Sequence, residues 1–188
     1  MTTDTDRLPF PADPTPEQRA AIDRITAGPR GGVSGPFVPL LRSPELMTRL
    51  QLVGETIRFG GVLDEDLVEV VVLTVARHWD QPYEWAFHHP IALAKGVPPA
   101  DVEAVGRAER PSDGRLAVMW DVVDELQRTK DVSDATYAEA VAVFGEERVV
   151  AAVATAGYYT TLAMVMNTAR TPPPEGLSAA LPEATPPR

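Results

Sequence analysis

Between two proline-rich ends, apolar residues recur three and four positions apart, and helix start and stop signals bracket each run. Thr15-Pro16-Glu17-Gln18 reads as a capping box with proline at the first helical position, predicting a helix that ends near Ala27 and Gly28. Residues 29–41 hold Gly31-Gly32, Gly35-Pro36 and Pro39 and read as a loop. Ser43-Pro44-Glu45 opens a second helix with Leu46, Leu50, Val53 and Ile57 on one side, and Gly60-Gly61 stops it. Asp64 is placed to cap a third helix, which carries Leu67, Val68, Val71, Val72 and Val75 and ends near Trp79 and Asp80. Pro82 fits the first turn of a fourth, stopped by Gly96, and Pro98-Pro99 starts a short fifth through Val105. Residues 113–128 form a sixth, with Leu116, Met119, Trp120, Val123 and Leu126 at helical spacing. Residues 133–144 form a seventh, closed by Gly145, and residues 146–167 a long eighth.

About eight helices and no sustained period-two alternation predict an all-α fold. The β-branched run 68–75 resembles a buried strand, but its length and the Asp64 cap favour a buried helix. The eighth helix is apolar nearly all round, as expected of a helix central to the domain or buried in an oligomer interface. The expected organisation is a Pro-rich arm over 1–14, one helical domain over 15–170 and a Pro-rich tail over 171–188. The tail is expected to be mobile or laid across a neighbour.

Composition narrows the chemistry. The chain has 188 residues, 27 acidic against 17 basic, and a formal charge of −10, which disfavours nucleic acid and anionic membrane surfaces. It contains no cysteine, so disulfides, thiolate metal sites and thiol nucleophiles are excluded. No uninterrupted apolar run reaches membrane-spanning length and no apolar signal core opens the chain, so a cytoplasmic protein is expected.

The segment 69–89, EVVVLTVARHWDQPYEWAFHH, concentrates the polar chemistry. Glu69 stands in an apolar helix and either finds a buried partner or faces outward. Glu84 and His88 are four apart, so both project from one helix face. A carboxylate beside an imidazole can fix its tautomer and deliver or accept a proton near neutral pH. The bland alternative is a surface ion pair. Trp85 and His89 form a second such pair, and His89 before Pro90 reads as structural. A metal held by Glu69, Glu84 and His88 is disfavoured, because the spacing is not Glu-x-x-His and no second pair exists. No nucleophile elbow and no phosphate-binding glycine loop is present. Tyr158, Tyr159 and Asn167 read as polar points with backbone or interface partners. Arg42, Arg49, Arg58 and Arg77 are candidates to offset the acidic field for an anionic ligand.

The run Glu69…Arg77-His78-Trp79…Tyr83-Glu84-Trp85…His88…Ala94-Lys95-Gly96-Val97 resembles the core signature of the carboxymuconolactone decarboxylase family, which includes alkylhydroperoxidase D-like proteins. Gly35-Pro36-Phe37, Ser43-Pro44-Glu45-Leu46 and Gly157-Tyr158-Tyr159…Asn167 fit as its flanks, so the resemblance spans roughly residues 7–175. The hydroperoxidase branch carries a Cys-x-x-Cys after the glutamate. Here those two positions hold Gln81 and Glu84, and the histidine position between them holds Tyr83, while Glu69 and His88 match. Thiol-dependent peroxide reduction is therefore excluded.

The decarboxylase branch implies an all-α homo-oligomer, a trimer or hexamer, with no cofactor and no metal. It implies a small anionic or lactone substrate and loss of CO2 in aromatic catabolism. In that reading His88 is the proton donor, Glu84 tunes it and Glu69 shares the polar pocket. Tyr83 or Trp85 forms a wall over the flat ring, and Arg58 and Arg77 bind the substrate. Two alternatives use the same residues: hydration or isomerisation in specialised metabolism, and a non-catalytic binding or assembly protein.

Overall fold

The computed structural model describes residues 6–177 and 180–184; the remaining parts of the expected arm and tail lie outside the described residues. Among the described residues the chain forms nine helices and no strand. They are α1 Pro16–Ala27, α2 Phe37–Leu40, α3 Pro44–Phe59, α4 Glu65–His78, α5 Pro82–Ala94, α6 Pro99–Gly106, α7 Gly114–Thr129, α8 Asp134–Phe144 and α9 Glu146–Ala169. The all-α expectation holds.

Local signals explain most boundaries. Thr15 accepts the Gln18 backbone N–H, and the Gln18 side chain accepts the Thr15 N–H in return, so two orphan donors are satisfied at the start of α1. Asp113 accepts the Arg115 and Leu116 N–H groups at the start of α7, and Ser133 accepts that of Thr136 at the start of α8. Asp64 occupies the N-cap position of α4, but its side chain accepts no cap hydrogen bond and pairs instead with Arg115 at 2.7 Å.

α4 is the hub. Residues 67–76 are all buried, and the helix packs on α5, α6, α7 and α9. A helix buried all round needs no polar face, which accounts for its run of valines. α9 is long and apolar enough to cross a membrane by length and composition, with mean hydropathy 1.6 over an 18-residue window. Half of that window is buried within the domain, and α9 packs along α4 as a core helix.

Three sequence expectations are corrected. The loop 29–41 contains α2, because Phe37, Pro39 and Leu40 bury themselves and curl the backbone into one turn. The buried face of α3 is Met47, Gln51 and Gly54, whereas Leu46 and Val53 are about half exposed, at 50% and 48%. The described tail lies across its own domain: Leu181 packs against the core, and the Arg77 guanidinium donates to the Pro182 carbonyl at 2.5 Å. The arm is tied down similarly. The Arg7 N–H donates to the Ala169 carbonyl at 2.8 Å, and Arg42 donates to the carbonyls of Leu8 and Pro9.

Candidate functional site

The site begins with a capped helix start. The Gln81 side chain accepts the Tyr83 N–H at 2.7 Å and donates to Asn167 Oδ1 at 2.7 Å. Asn167 in turn donates to the Trp79 carbonyl at 2.9 Å. The first turn of α5 is thereby fixed against the end of α9, which sets the rotation of α5. One face of α5 then presents Glu84 and His88 towards α4, where Glu69 meets them.

His88 lies between two carboxylates. Its Nδ1 is 2.7 Å from Glu69 Oε2 and its Nε2 is 3.4 Å from Glu84 Oε2. The three side chains are at most 5% exposed. Burial raises the Glu84 carboxyl above its ordinary value, with the Glu69 charge adding to the rise; His88, Arg58 and Arg30 oppose it. Nδ1–H donates to the Glu69 carboxylate, and the Glu84 carboxyl faces Nε2 at 3.4 Å. The Tyr159 ring stands perpendicular to the imidazole at 5.3 Å and closes one side.

Glu84 and His88 form part of the wall of a cavity of about 300 Å³. Tyr83 and Phe87 of α5, and Tyr159 and Leu162 of α9, supply flat and apolar surface. Arg30, Ser34 and Phe37 enter from the segment between α1 and α3, and Arg58 and Phe59 from the end of α3. Among the described residues neither Arg30 nor Arg58 makes an ion pair. Arg30 lies 4.7 Å over the Phe37 ring, and Arg58 5.7 Å from the Phe59 ring. Burial raises the Tyr83 hydroxyl despite the opposing Ser34 hydrogen bond, pushes Tyr158 up to about 12, and carries Tyr159 well above its ordinary value. These phenols stay protonated at neutral pH and remain hydrogen-bond donors.

The structure brings Glu84, His88, Tyr83 and Arg58 to one cavity. Glu69 touches His88 but lines a neighbouring cavity of about 400 Å³ with Arg58, Phe59 and Lys95, so it supports the imidazole from behind. Trp85 is no wall of the site. It follows Glu84 by about 100° around α5, is fully buried, and meets His89 at 5.6 Å and the region of Gly106. Arg77 does not line this cavity either. Eight residues beyond Glu69, about 12 Å along α4, it donates to the carbonyls of Gly106 and Pro182 and pairs with Asp80. Arg42 and Arg49 are likewise elsewhere, on the arm and on Glu45. Among the described residues no three His, Asp or Glu side chains converge to hold a metal, because Glu69 and Glu84 occupy different nitrogens of one ring.

Sequence reasoning missed Arg30, Ser34, Phe37, Phe59 and Phe87 and gave Tyr159 a merely structural part. Arg30 had one faint signal, a basic residue just before Gly31-Gly32 in an otherwise uncharged loop.

No protein-family model matches this sequence, and no curated protein sequence matches it. Solved structures do. An alkylhydroperoxidase AhpD core protein of Ralstonia eutropha JMP134, described as an uncharacterized peroxidase-related protein, superposes with TM-score 0.73 at 18% identity, covering 91% of this chain and 93% of that one. An uncharacterized peroxidase-related protein of Silicibacter sp. TM1040 superposes with TM-score 0.75 at 15% identity, covering 97% of this chain and 100% of that one. The chain therefore has the alkylhydroperoxidase D-like fold, which the carboxymuconolactone decarboxylase resemblance implied.

Proposed function

We propose that this protein is a cofactor-independent acid–base lyase of the carboxymuconolactone decarboxylase type, acting on a small unsaturated carboxylic acid or lactone. The observation that carries this reading is His88, buried between Glu69 and Glu84 at 2.7 and 3.4 Å on the wall of the 300 Å³ cavity. Peroxide reduction of the thiol type has no nucleophile in a chain without cysteine.

The chemistry follows from the charges. Decarboxylation breaks the bond to the carboxylate carbon, releases CO2 and leaves the bonding electrons on the ring. One proton must then be added to that carbon. Glu84 passes a proton to His88 Nε2, which delivers it to that carbon, water restores the proton on Glu84, and Glu69 holds the ring oriented through Nδ1. The departing carboxylate is best left poorly solvated against Phe37, Phe87 and Leu162. Arg58, which lines the same cavity, draws the developing negative charge onto the lactone oxygen in this reading. The reading includes a homo-oligomer in the cytoplasm, since the exposed apolar positions of α3 and α9 suit burial against a second copy.

The test is ultraviolet absorbance during incubation of purified protein with 4-carboxymuconolactone, beside the His88→Ala variant. Turnover that falls by about 10²- to 10⁴-fold in a folded variant is the expected result. An equally active His88→Ala variant removes the assignment.

A further inference from the structure

Gly54 is an unusual residue for its position. It lies within the sixteen-residue helix α3, buried and away from either end, where glycine in place of alanine weakens the helix. Space explains it. A Cβ built there would overlap both the Tyr158 hydroxyl and Nη2 of Arg30. Those two groups meet over the bare helix backbone, with Nη2 3.5 Å from the Tyr158 oxygen, although they lie 128 positions apart. Phe37 supports the guanidinium from another side at 4.7 Å. The Arg30 side chain is thus held by a missing side chain, a phenol and an aromatic face, and among the described residues no carboxylate forms an ion pair with it. Its Nε is buried without a partner. Glu55, one residue beyond Gly54, is the nearby acid, and it makes no ion pair with Arg30 among the described residues; its own Oε1 is also buried and unpaired.

We infer that Arg30 is the anchor for a carboxylate or other anionic group, distinct from the departing carboxylate, of a flat small molecule in the cavity, and that Gly54 and Tyr158 are positioning residues that hold it there. This deepens the lyase reading, because it assigns an anionic end of the ligand to a residue lining the same cavity as Glu84 and His88. A half-buried guanidinium with no carboxylate partner in an aromatic-lined cavity binds a carboxylate through charge-assisted hydrogen bonds far better than one already paired. Substitution at Gly54 moves the guanidinium without altering any charge in the cavity.

The experiment needs no turnover. 2-Furoate, a flat five-membered-ring carboxylate, is titrated into the whole chain by isothermal calorimetry, with 2-furamide as the uncharged control. The wild-type chain is expected to bind furoate and to bind the amide at least tenfold more weakly. Arg30→Met should lose furoate affinity by about 10- to 100-fold. Gly54→Ala should lose a similar factor. Gly54→Ala placed on Arg30→Met should lose nothing more, because both act through one guanidinium. That absence of a further loss distinguishes positioning from general damage to α3. Arg30 lies in a loop, so Arg30→Met is expected to fold and keeps the test decisive if Gly54→Ala does not. No furoate binding by the wild type, or equal binding by Arg30→Met, overturns the inference. Arg30-dependent binding in a protein that decarboxylates nothing would leave this inference standing and the lyase reading lost.

Discussion

Glu69 of α4 and His88 of α5 meet at 2.7 Å through Oε2 and Nδ1, and both side chains are at least 95% buried. A carboxylate cannot donate when ionised, so this contact assigns the proton to Nδ1 and leaves Nε2 for Glu84 and the cavity. The tautomer of the proposed proton donor is therefore set from outside the substrate cavity.

That contact carries a stability prediction. Glu69→Ala leaves a buried imidazole N–H without an acceptor and should destabilise the fold by about 3 kcal/mol. Glu69→Gln keeps an acceptor oxygen and should cost clearly less. Urea midpoints of the two variants check the order. Equal midpoints would mean that the hydrogen bond is not what the carboxylate supplies.

Glu84 carries a pH prediction. Burial raises its folded value above the ordinary 4.5. Below 4.5 both states hold the proton and nothing changes. As pH rises through 4.5 the unfolded chain ionises while the native carboxyl keeps its proton, so this group makes stability fall with rising pH until the folded value is passed. Glu84→Gln removes that slope and still offers an N–H to Nε2. The variant should gain stability relative to wild type as pH increases from about 4.5. Urea titrations from pH 4 upward measure the difference. A difference that is flat with pH contradicts the raised carboxyl.

How much of this was legible in the chain depends on whether a contact was local. Glu84 and His88 share a face because four residues make about one helical turn, and that is visible in any sequence. Glu69 was visible as a carboxylate in a valine run, which has to find a partner. The core face of α3 was not visible, because two of its three buried residues are Gln51 and Gly54 and neither counts as apolar. Leu50 and Ile57 pack at its margin, while Leu46 and Val53 point outward. Trp85 looked like a ring-binding wall by proximity in sequence, yet one step along α5 turns it into the core. Arg30 was out of reach because its position depends on a tyrosine 128 residues away. Arg77 sits at the end of α4, where the returning tail offers the Pro182 carbonyl, and no local pattern announces that return.

The outward apolar residues carry the last prediction. On α3, Leu46 and Val53 are half exposed, and on α9, Val150 is 67% and Met164 49% exposed. Scattered exposed side chains need no explanation, but these recur at helical spacing on two helices that touch each other. α9 spends its other side on the core, so its outward strip is too narrow to face lipid all round and suits one flat protein surface. The homo-oligomer proposal puts a second copy of this chain on that surface. Light scattering on the eluting protein at micromolar concentration should give a mass that is a multiple of 20.3 kDa. A Val53→Glu, Val150→Glu double variant should elute as the monomer with its helical circular dichroism unchanged, since burying two unpaired charges at a contact costs more than the contact returns. A wild-type chain that runs as a monomer at that concentration ends the oligomer proposal and leaves the acid–base site to be judged alone.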